Sequence, residues 1–494
     1  MKKIFILLTL TLLLGSLFAD LMQPTEAKTA LTDAKGRTKI RTTRDAPTYE
    51  FVVNPADLIT NFYDYMPGSY NGLPVRIQPE TSQPFGHPAG GVYMTYHIRE
   101  TASTNRRQYY TYIDNEGHIQ PPAPIGVSDI WEGYGGIDID PFTGDPMVSW
   151  HQQAGATYDD MFSYDLYHIL GGPGLWKEPF IVIDNYVMEM NPEDEFIWPY
   201  VNIGPSPLGE EYRRVYVNGN NAASNTPGGN PSENMYIAYA DFSSADLDAQ
   251  SELDWTYQSI PLMDEWHNQE PWTRPFHAFC VSQDGKVAIM GYTVSDGDDY
   301  DDKLFVFLND NYGDADSWTY YNEGFGLGET DVVNPLNQAG TEATFLNDNG
   351  NPYNLYFGFT NSGHQNAIFT DDGMKIRFNG AAGLNGDDPD GGDGVYWPYA
   401  IYPKVVEFDI ASENFVFQNL DTIIDENSSN PDYVWPEDVM YLPWDTDNDG
   451  LIDEYDTDGS VLWYSGWPCH FYDNDTAFHE NGFKIVQNAE QGWL

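Results

Sequence analysis

The sequence predicts an all-β protein built from repeated antiparallel sheets. Short runs of β-branched and aromatic residues, bounded by Gly, Pro, Asn and Asp, recur along most of the 494-residue chain, and such runs are typical of strands. Helical periodicity is nearly absent, and its best candidate is a short helix over residues 54–65. Aromatic residues make up 15% of the chain, which is enough to build apolar cores despite the high charge. The clearest predicted strands are residues 91–97, 108–113, 214–217, 235–239, 304–308 and 354–359.

The N-terminus predicts export. Lys2 and Lys3 precede an apolar stretch over residues 4–14, and small residues follow up to Ala19, which is the pattern of a secretory signal peptide at residues 1–19. Residues 20–48 are polar and partly basic, and we expect either an exposed, disordered leader or a tether that docks on the acidic body. Residues 49–494 then form the folded domain. The sequence beyond residue 19 contains no apolar stretch long enough to span a bilayer, so we expect a secreted or cell-surface protein, with the periplasm as the alternative.

The charge of the chain restricts its partners. It carries 76 acidic and 22 basic residues, for a net charge of −54. Nucleic acid and anionic membranes demand a basic surface, so this composition argues against both. The two cysteines, Cys280 and Cys469, either form a disulfide, which export permits, or remain buried thiols.

A hairpin unit recurs along the chain: an apolar strand, a tight turn rich in Asp, Asn and Gly, and a second apolar strand. Asp-Gly and Asn-Gly suit turns that need a positive φ, so each copy predicts a β-hairpin. The clearest copies are residues 136–150, 277–291, 342–356 and 437–464. Units spaced several tens of residues apart are the signature of a β-propeller. Unit starts near residues 85, 133, 198, 275, 341 and 434 predict six blades, and further starts near 397 and 467 allow seven.

The turn of the last copy contains an acidic loop with the spacing of a calcium site. Its acidic residues occupy positions 1, 3, 5, 9 and 12 of the loop template, and a glycine at position 6 allows the sharp turn. The stretch resembles the calcium loops of dockerins and of thrombospondin type 3 repeats, and the resemblance covers this loop only. We expect a structural Ca²⁺ ion that stabilises an enlarged hairpin turn of a late blade. The predicted ligands are Asp445, Asp447, Asp449, Asp453, Asp456 and the backbone carbonyl of Leu451, with Gly450 at the turn.

Aromatic residues next to proline precede several hairpins. If each such segment enters the innermost strand of its blade, the segments converge on one face around the channel and form a ligand site; the alternative is that they pack between blades. Histidines end three of the segments, and His87, His277 and His470 predict either a shared metal or acid–base site or separate hydrogen-bonded side chains. The candidate ligand-binding residues are Trp198, Tyr200, Arg274, His277, Trp397, Tyr399, Trp435, Glu437, Trp467 and His470.

The architecture resembles that of secreted bacterial propellers of the sialidase-like and lectin-like kinds. The turn Ser282-Gln-Asp-Gly285 is similar to an Asp-box turn of sialidases but lacks the aromatic residue at its end, and no arginine triad can be assigned, so sialidase activity is not implied. The resemblance implies a module that binds a glycan or protein ligand outside the cell. One alternative is a glycoside hydrolase or lyase that pairs Glu437 with a second channel carboxylate such as Asp138 or Glu342. The other is a structural surface or scaffold protein.

The calcium loop generates a first test. Chelation is expected to lower the melting temperature, because the acidic loop repels itself without an ion and because the ion binds the folded state only. Asp445→Ala combined with Asp449→Ala is expected to abolish most of this effect, as measured by thermal unfolding with and without chelator. A wild-type melting temperature that chelator leaves unchanged contradicts the prediction.

Overall fold

The computed structural model describes residues 57–62, 74–78, 90–170, 172–185, 194–222, 234–266, 277–293, 303–324, 345–346, 352–353, 356–358, 366–383, 401–419 and 485–486. Most of these residues lie in strands, as the sequence predicts. The described helices are α1 (Tyr167–Leu170), α2 (Ser244–Asp248) and α3 (Pro261–Asp264), with a 3₁₀ turn at Ala315–Ser317. None of the described helices has the length and apolar character needed to cross a bilayer.

The first four sheets are antiparallel and four-stranded, and in each the strands follow one another in chain order. Sheet 1 contains β1 (Val75–Ile77), β2 (Val92–Ile98), β3 (Arg107–Ile113) and β4 (Ala123–Pro124). Sheet 2 contains β5 (Glu132–Ile139), β6 (Pro146–Ala154), β7 (Thr157–Tyr164) and β8 (Phe180–Ile183). Sheet 3 contains β9 (Phe196–Pro205), β10 (Tyr212–Asn221), β11 (Met235–Ser243) and β12 (Thr256–Ser259). Sheet 4 contains β13 (Ala278–Val281), β14 (Val287–Thr293), β15 (Lys303–Asn309) and β16 (Trp318–Gly324).

A fifth sheet follows a short hairpin of β17 (Phe345–Leu346) and β18 (Pro352–Tyr353). Sheet 5 contains β19 (Tyr356–Gly358), β20 (Ala367–Phe369), β21 (Lys375–Gly383), β22 (Ile401–Asp409) and β23 (Asn414–Asn419). Both β19 and β20 pair with β21, at its two ends, while β22 pairs along its whole length. The two short strands therefore share the edge of β21 opposite β22 and together replace a single first strand.

Consecutive sheets pack face to face through aromatic and branched side chains. Each interface has one core cluster with members from both sheets, such as Tyr93 and Trp150 for sheets 1 and 2, Phe162 and Phe242 for sheets 2 and 3, Met235 and Phe305 for sheets 3 and 4, and Val306 and Phe378 for sheets 4 and 5. Full burial of one such side chain stabilises the fold by roughly 1.5–3 kcal/mol. Sheets 2, 3 and 4 thus bury both faces, as blades of a propeller do.

The first strands of all five sheets converge on one cavity of about 310 Å³. Its lining includes Arg76 from β1, Ile137 from β5, Val201 from β9, Phe279 from β13 and Ile368 from β20. A set of radial four-stranded sheets around a central cavity is the β-propeller arrangement, so the prediction of an all-β fold is confirmed and the architecture agrees with a propeller. The hairpins predicted at residues 136–150, 277–291 and 342–356 are present as the pairs β5–β6, β13–β14 and β17–β18.

The number of blades stays a prediction. The sixth unit, from residue 434 on, lies outside the described residues apart from residues 485–486. The extra unit start near residue 397 does not begin a blade, because the chain continues from there into β22. This strand is hydrogen-bonded on both edges, to β21 and to β23, and is therefore the third strand of sheet 5.

The short helix predicted over residues 54–65 is wrong for its described part, residues 57–62, which is not helical. The Asn61 side chain instead donates to the carbonyl of His97 at 3.2 Å and accepts from the Arg99 N–H at 2.9 Å. The Phe62 N–H donates to the Arg99 carbonyl at 2.9 Å. Contacts with the end of β2 thus replace the hydrogen bonds within a helix.

The turn at Ser282 has a counterpart in the next sheet that sequence reasoning missed. Ser282 Oγ donates to Asp284 and Thr370 Oγ1 donates to Asp372, each at 2.6 Å. Gly285 and Gly373, at the ends of the two turns, have φ of 87° and 64°, a region that glycine adopts without strain. The repeated order of hydroxyl residue, any residue, Asp and Gly therefore marks the turn between the first two strands of sheets 4 and 5.

Buried polar links connect sheets 2 and 3 on the lower face, which we define as the side where β5 and β9 end. Arg213 of β10 forms an ion pair with Asp140, the residue that follows β5. His168 of α1 donates through its backbone N–H to Asp145 at 3.0 Å, and its Nδ1 also contacts that carboxylate. Its Nε2 lies 2.9 Å from Asp248 Oδ1 in α2. Since both ring nitrogens face carboxylates, the protonated imidazolium satisfies both contacts.

The His168 link predicts a pH dependence of stability. Burial lowers the pKa of His168, but the hydrogen bonds and charges of Asp145 and Asp248 outweigh it and raise that pKa overall. The stabilisation is therefore complete below the unfolded pKa of about 6.5 and is lost as the pH rises through the raised folded value. We expect His168→Gln to cost roughly 1–3 kcal/mol at about pH 6 and clearly less at about pH 9, measured by urea unfolding.

The control for this test is His118→Gln, because His118 lies in an exposed turn with a side chain 73% exposed. That variant is expected to follow the wild-type pH dependence. A cost of His168→Gln that is the same at both pH values contradicts the role assigned to the imidazolium.

Candidate functional site

Three of the ten predicted ligand-binding residues lie in the described part of the chain. Trp198 and Tyr200 belong to β9, the first strand of sheet 3, and His277 directly precedes β13, the first strand of sheet 4. Both segments enter the innermost strand of their sheet at the upper face, the side where β5 and β9 begin. The three side chains are buried, with 8%, 2% and 0% of their surface exposed. Tyr200 lines the cavity, and His277 packs edge-on against Phe305.

The other predicted residues lie outside the described residues: Arg274, Trp397, Tyr399, Trp435, Glu437, Trp467, His470 and the six calcium ligands between Asp445 and Asp456. For Trp397 and Tyr399 the fold adds one fact, since the strand that follows them is the third of sheet 5 and not the innermost. Cys280 is a buried free thiol, while Cys469 lies outside the described residues.

Two aromatic residues at the upper ends of the innermost strands have left-handed backbones. Tyr134 of β5 has φ 53° and Trp198 of β9 has φ 57°. Each lies in a β-bulge, where the register shifts between Gly133 and Gly136 in sheet 2 and between Asn218 and Asn220 in sheet 3. A bulky residue in this conformation costs roughly 1–3 kcal/mol, and such strain is concentrated at functional sites. The same device in adjacent sheets directs both side chains to one place.

These side chains form a compact group that we call the rim cluster: Arg106, Tyr134, His151, Tyr158, Asp160 and Trp198. Tyr134, Trp198 and Tyr158 share one apolar cluster. The His151 ring packs 5.1 Å from the Tyr134 ring and 5.0 Å from the Tyr158 ring, centroid to centroid. The guanidinium carbon of Arg106 lies 4.3 Å from the Tyr134 ring centroid, within range for a cation–π contact.

Arg106 reaches this group through the gap left by a glycine. Its Nε donates to the carbonyl of Glu132 at 2.5 Å, and its Nη2 lies 2.9 Å from His151 Nε2. A Cβ on Gly133 would lie 2.5 Å from Arg106 Nε, so only glycine leaves room for the guanidinium. The Glu132 side chain is held beside it by Arg107 Nε and the Gln108 N–H, each at 3.1 Å. Burial raises the pKa of Glu132, and Arg107 offsets part of that shift.

Asp160 is the unusual member of the rim cluster. It is 0% exposed, and neither of its carboxyl oxygens has a hydrogen-bond partner among the described residues. A Cβ on Gly219 of the neighbouring sheet would lie 2.9 Å from Asp160 Oδ2, so the carboxyl is closed in from that side. Burial, and then the charge of Asp159, raise the pKa of Asp160 well above its usual range. The carboxyl therefore keeps its proton where an exposed aspartate has lost it, which is the property of a general acid.

The central cavity below the rim offers fewer chemical groups. Its polar lining includes Arg76, Asn202 and Asp371. Asp138, one of the candidate second carboxylates, accepts from Arg76 Nε at 2.9 Å and from the Ile203 N–H at 2.8 Å, which ties together sheets 1, 2 and 3. Within the described ranges, no group of three or more His, Cys, Asp or Glu side chains is arranged to hold a metal ion.

Sequence reasoning missed Arg106, Tyr134, His151 and Asp160. One usable signal was the run Gly133-Tyr-Gly-Gly136 inside a predicted strand, because glycine within a strand marks a bulge or a close backbone approach. The structure shows such an approach, since a Cβ on Gly136 would lie 2.9 Å from the carbonyl oxygen of Pro199. No local pattern marked Asp160, because its environment comes from the neighbouring sheet.

No protein-family model and no curated protein sequence matches the chain significantly. Solved structures with a similar course include an α-L-arabinofuranosidase from Fusarium graminearum, at 10% identity over 69% of this chain and 77% of that one, with a TM-score of 0.35. A sialidase described as Hadza microbial gives 11%, 71%, 59% and 0.32 for the same quantities. The catalytic domain of an α-L-arabinofuranosidase from Coprinopsis cinerea gives 11%, 67%, 96% and 0.30. The propeller architecture of this chain therefore rests on its own sheets and their packing.

The raised pKa of Asp160 predicts how stability changes with pH. Between the unfolded pKa of about 4 and the folded value, the folded chain holds a proton that the unfolded chain has lost, so stability falls as the pH rises. Relative to Asp160→Asn, which does not titrate, the wild type is expected to lose up to about 1.4 kcal/mol per pH unit in that range. Urea unfolding of both proteins at about pH 4.5 and about pH 7 measures the difference.

Asp114→Asn is the control, with the opposite sign. Hydrogen bonds from the backbone of His118 lower the pKa of this exposed carboxyl, so its stabilisation is present above the unfolded pKa and is lost on acidification. Parallel pH profiles of the wild type and Asp160→Asn contradict the assigned protonation.

Proposed function

We propose that the chain processes an extracellular glycan, as a glycoside hydrolase that works at the upper mouth of the channel with Asp160 as its proton donor. The observation that carries the proposal is the buried Asp160 carboxyl, which has no hydrogen-bond partner among the described residues. A buried polar group left unpaired costs roughly 1–3 kcal/mol, so stability does not explain its presence. Perturbed carboxyls of this kind occur preferentially at catalytic sites.

Hydrolysis of a glycosidic bond needs an acid that still holds its proton at the working pH. The proton passes from the acid to the glycosidic oxygen while the bond from that oxygen to the anomeric carbon breaks. The burial of Asp160 provides the raised pKa, as an apolar pocket does for catalytic carboxylic acids in general. The leaving sugar thus departs neutral, and Asp160 is left as a carboxylate.

Aromatic rings around the rim supply a surface for sugar rings. Tyr158 and Trp131 are partly exposed, and Trp131 lies between two guanidinium groups, 5.6 Å from Arg99 and 5.0 Å from Arg106. Sugar rings pack their apolar faces on such side chains and present hydroxyl groups to neighbouring charged groups. The rim therefore combines stacking surfaces, cations and a proton donor within one group of side chains.

The second carboxylate that hydrolysis needs comes from another segment. Asp159 is adjacent to Asp160 in β7, so the two side chains point to opposite faces of the sheet. Asp138 is engaged by Arg76 and by the backbone of β9. We retain Glu437, beside Trp435, as the proposed base or nucleophile. The signal peptide at residues 1–19 and the calcium loop at residues 445–456 belong to the same proposal, as the means of export and of stabilising a late blade.

Glycan binding without turnover is the second candidate function. The observation that favours it is that the Asp160 side chain is 0% exposed, so that a ligand contacts the aromatic rings before it reaches the carboxyl. The chain is then a binding module that grips its ligand with Trp131 and Tyr158.

Turnover measured on a panel of polysaccharides and aryl glycosides separates the two functions. For a hydrolase, Asp160→Asn is expected to lower kcat/KM by about 10²–10⁴-fold, because the leaving oxygen loses its proton donor. The loss is expected to be smaller for aryl glycosides with acidic leaving groups, since these depart without protonation. Such leaving-group dependence identifies the acid.

Asp165→Asn is the matched control. Asp165 is also a buried carboxyl, and its pKa is raised to about 7 by burial, but it accepts hydrogen bonds from the Gly174 and Leu175 N–H groups. This variant is expected to retain activity. Ligand binding in a glycan array with no turnover of any substrate supports the binding module and rejects the hydrolase, and equal activity of wild type and Asp160→Asn rejects Asp160 as the acid.

A further inference from the structure

The rim cluster contains a buried donor without an acceptor next to a buried acceptor without a donor. The donor belongs to His151 and the acceptor is the carboxyl of Asp160, whose role in the proposed function provides the starting point. His151 is 3% exposed, and its Nδ1 has no hydrogen-bond partner among the described residues. Both oxygens of Asp160 are in the same condition.

Arg106 determines which nitrogen of His151 carries the proton. A guanidinium group has donors only, so Nε2 of His151, at 2.9 Å from Arg106 Nη2, accepts this hydrogen bond. Burial, and then the positive charges of Arg106 and His97, lower the pKa of His151 well below its usual range, so the ring is neutral. A neutral imidazole whose Nε2 accepts carries its proton on Nδ1.

The sheet places this N–H opposite Asp160. In the antiparallel pair of β6 and β7, the register aligns His151 directly with Asp160. Directly opposed residues have their side chains on the same face of the sheet, with Cβ atoms about 4.5–5.5 Å apart. The two side chains therefore reach each other by a change of rotamer, without movement of the backbone.

We propose that His151 and Arg106 form a relay that stabilises Asp160 once it has lost its proton. While Asp160 is neutral, the two side chains remain apart. When the proton leaves, the His151 ring donates Nδ1–H to the new carboxylate, and Arg106 holds the tautomer in place through Nε2. His151 and Arg106 are positioning residues in this scheme, and neither exchanges a proton with the substrate.

The other groups around Asp160 do not substitute for this donor. On β7 itself its neighbours are Tyr158 and the anionic Asp159, which repels a second negative charge. From sheet 3 it meets Gly219, which has no side chain and lies against Phe196. His97 and Arg106 act on it through His151. Within the described residues, His151 is therefore the neighbouring group that carries a free N–H.

The first experiment observes the proton directly. The full-length chain is labelled with ¹⁵N in its ten histidines, and the His151 signals are identified by their loss in His151→Gln. The expected result is a neutral ring with its proton on Nδ1, whose Nδ1 signal changes as Asp160 titrates and no longer changes in Asp160→Asn. A proton on Nε2, or the same pH response in both proteins, overturns the proposal.

The second experiment uses two substitutions at one position. His151→Gln offers a carbonyl oxygen to Arg106 and an N–H to Asp160, whereas His151→Phe offers neither. The pKa of Asp160, obtained from the pH dependence of unfolding against the corresponding double variants with Asp160→Asn, is expected to rise by about one unit or more in His151→Phe and to change by less than about half a unit in His151→Gln. Equal values in the two variants overturn the proposal, and if His151→Phe does not fold, the tautomer and its pH response decide alone.

Both experiments are made without substrate, which separates this inference from the proposed function. A chain that hydrolyses no glycan but shows the coupled titration retains the relay and loses the catalytic role of Asp160. A chain whose activity depends on Asp160 but whose His151 does not respond to it retains the acid and loses the relay.

Discussion

The fold depends on one constraint: each sheet has two apolar faces, and both need a neighbouring sheet to cover them. Trp150 and Val306, in the middle strands of sheets 2 and 4, are 0% exposed because the adjacent sheets lie against them. Sheets that cover one another in sequence, each with a right-handed twist, arrange themselves radially, and this brings their first strands together. The central cavity and the rim above it thus follow from the burial of the sheet faces.

The same convergence explains why the chemistry is concentrated at the upper ends of the first strands. There the backbones approach so closely that Gly136 and Gly219 have no room for a Cβ. The strands relieve this crowding by bulges, and each bulge directs an aromatic residue, Tyr134 or Trp198, into a left-handed conformation. Polar side chains enclosed between such strands are cut off from water, which strengthens their mutual interactions and shifts their pKa values. A crowded rim is therefore a place where a carboxyl becomes an acid.

The sequence predicted the parts of this fold that depend on local patterns. Strand runs such as residues 235–239, and turns such as Ser282 to Gly285, are encoded by alternation and by glycine at positive φ, and both are present. The entry of the Trp198 and His277 segments into first strands was also predictable, because the loop before a strand favours proline. The helix over residues 54–65 was not, because the contacts of Asn61 with β2 are non-local. The rim cluster joins residues from β3, β5, β6, β7 and β9, and no periodicity in one segment reports which side chains from other segments will enclose it.

Comparison among the buried aspartates shows why Asp160 is more than an accident of packing. Asp140, Asp145 and Asp165 lie on the lower side of sheets 2 and 3 and are as deeply buried, yet each has donors: Arg213, His168, and the Gly174 and Leu175 N–H groups, respectively. These three groups are fully compensated and connect strands and helices, which accounts for them as structure. Asp160 connects nothing in the described residues, and an apolar side chain of similar size there would remove the cost of an unpaired polar group. A residue that weakens its own fold is retained for what it does, and beside a neutral histidine whose N–H is directed by Arg106, its useful property is the release and recovery of a proton.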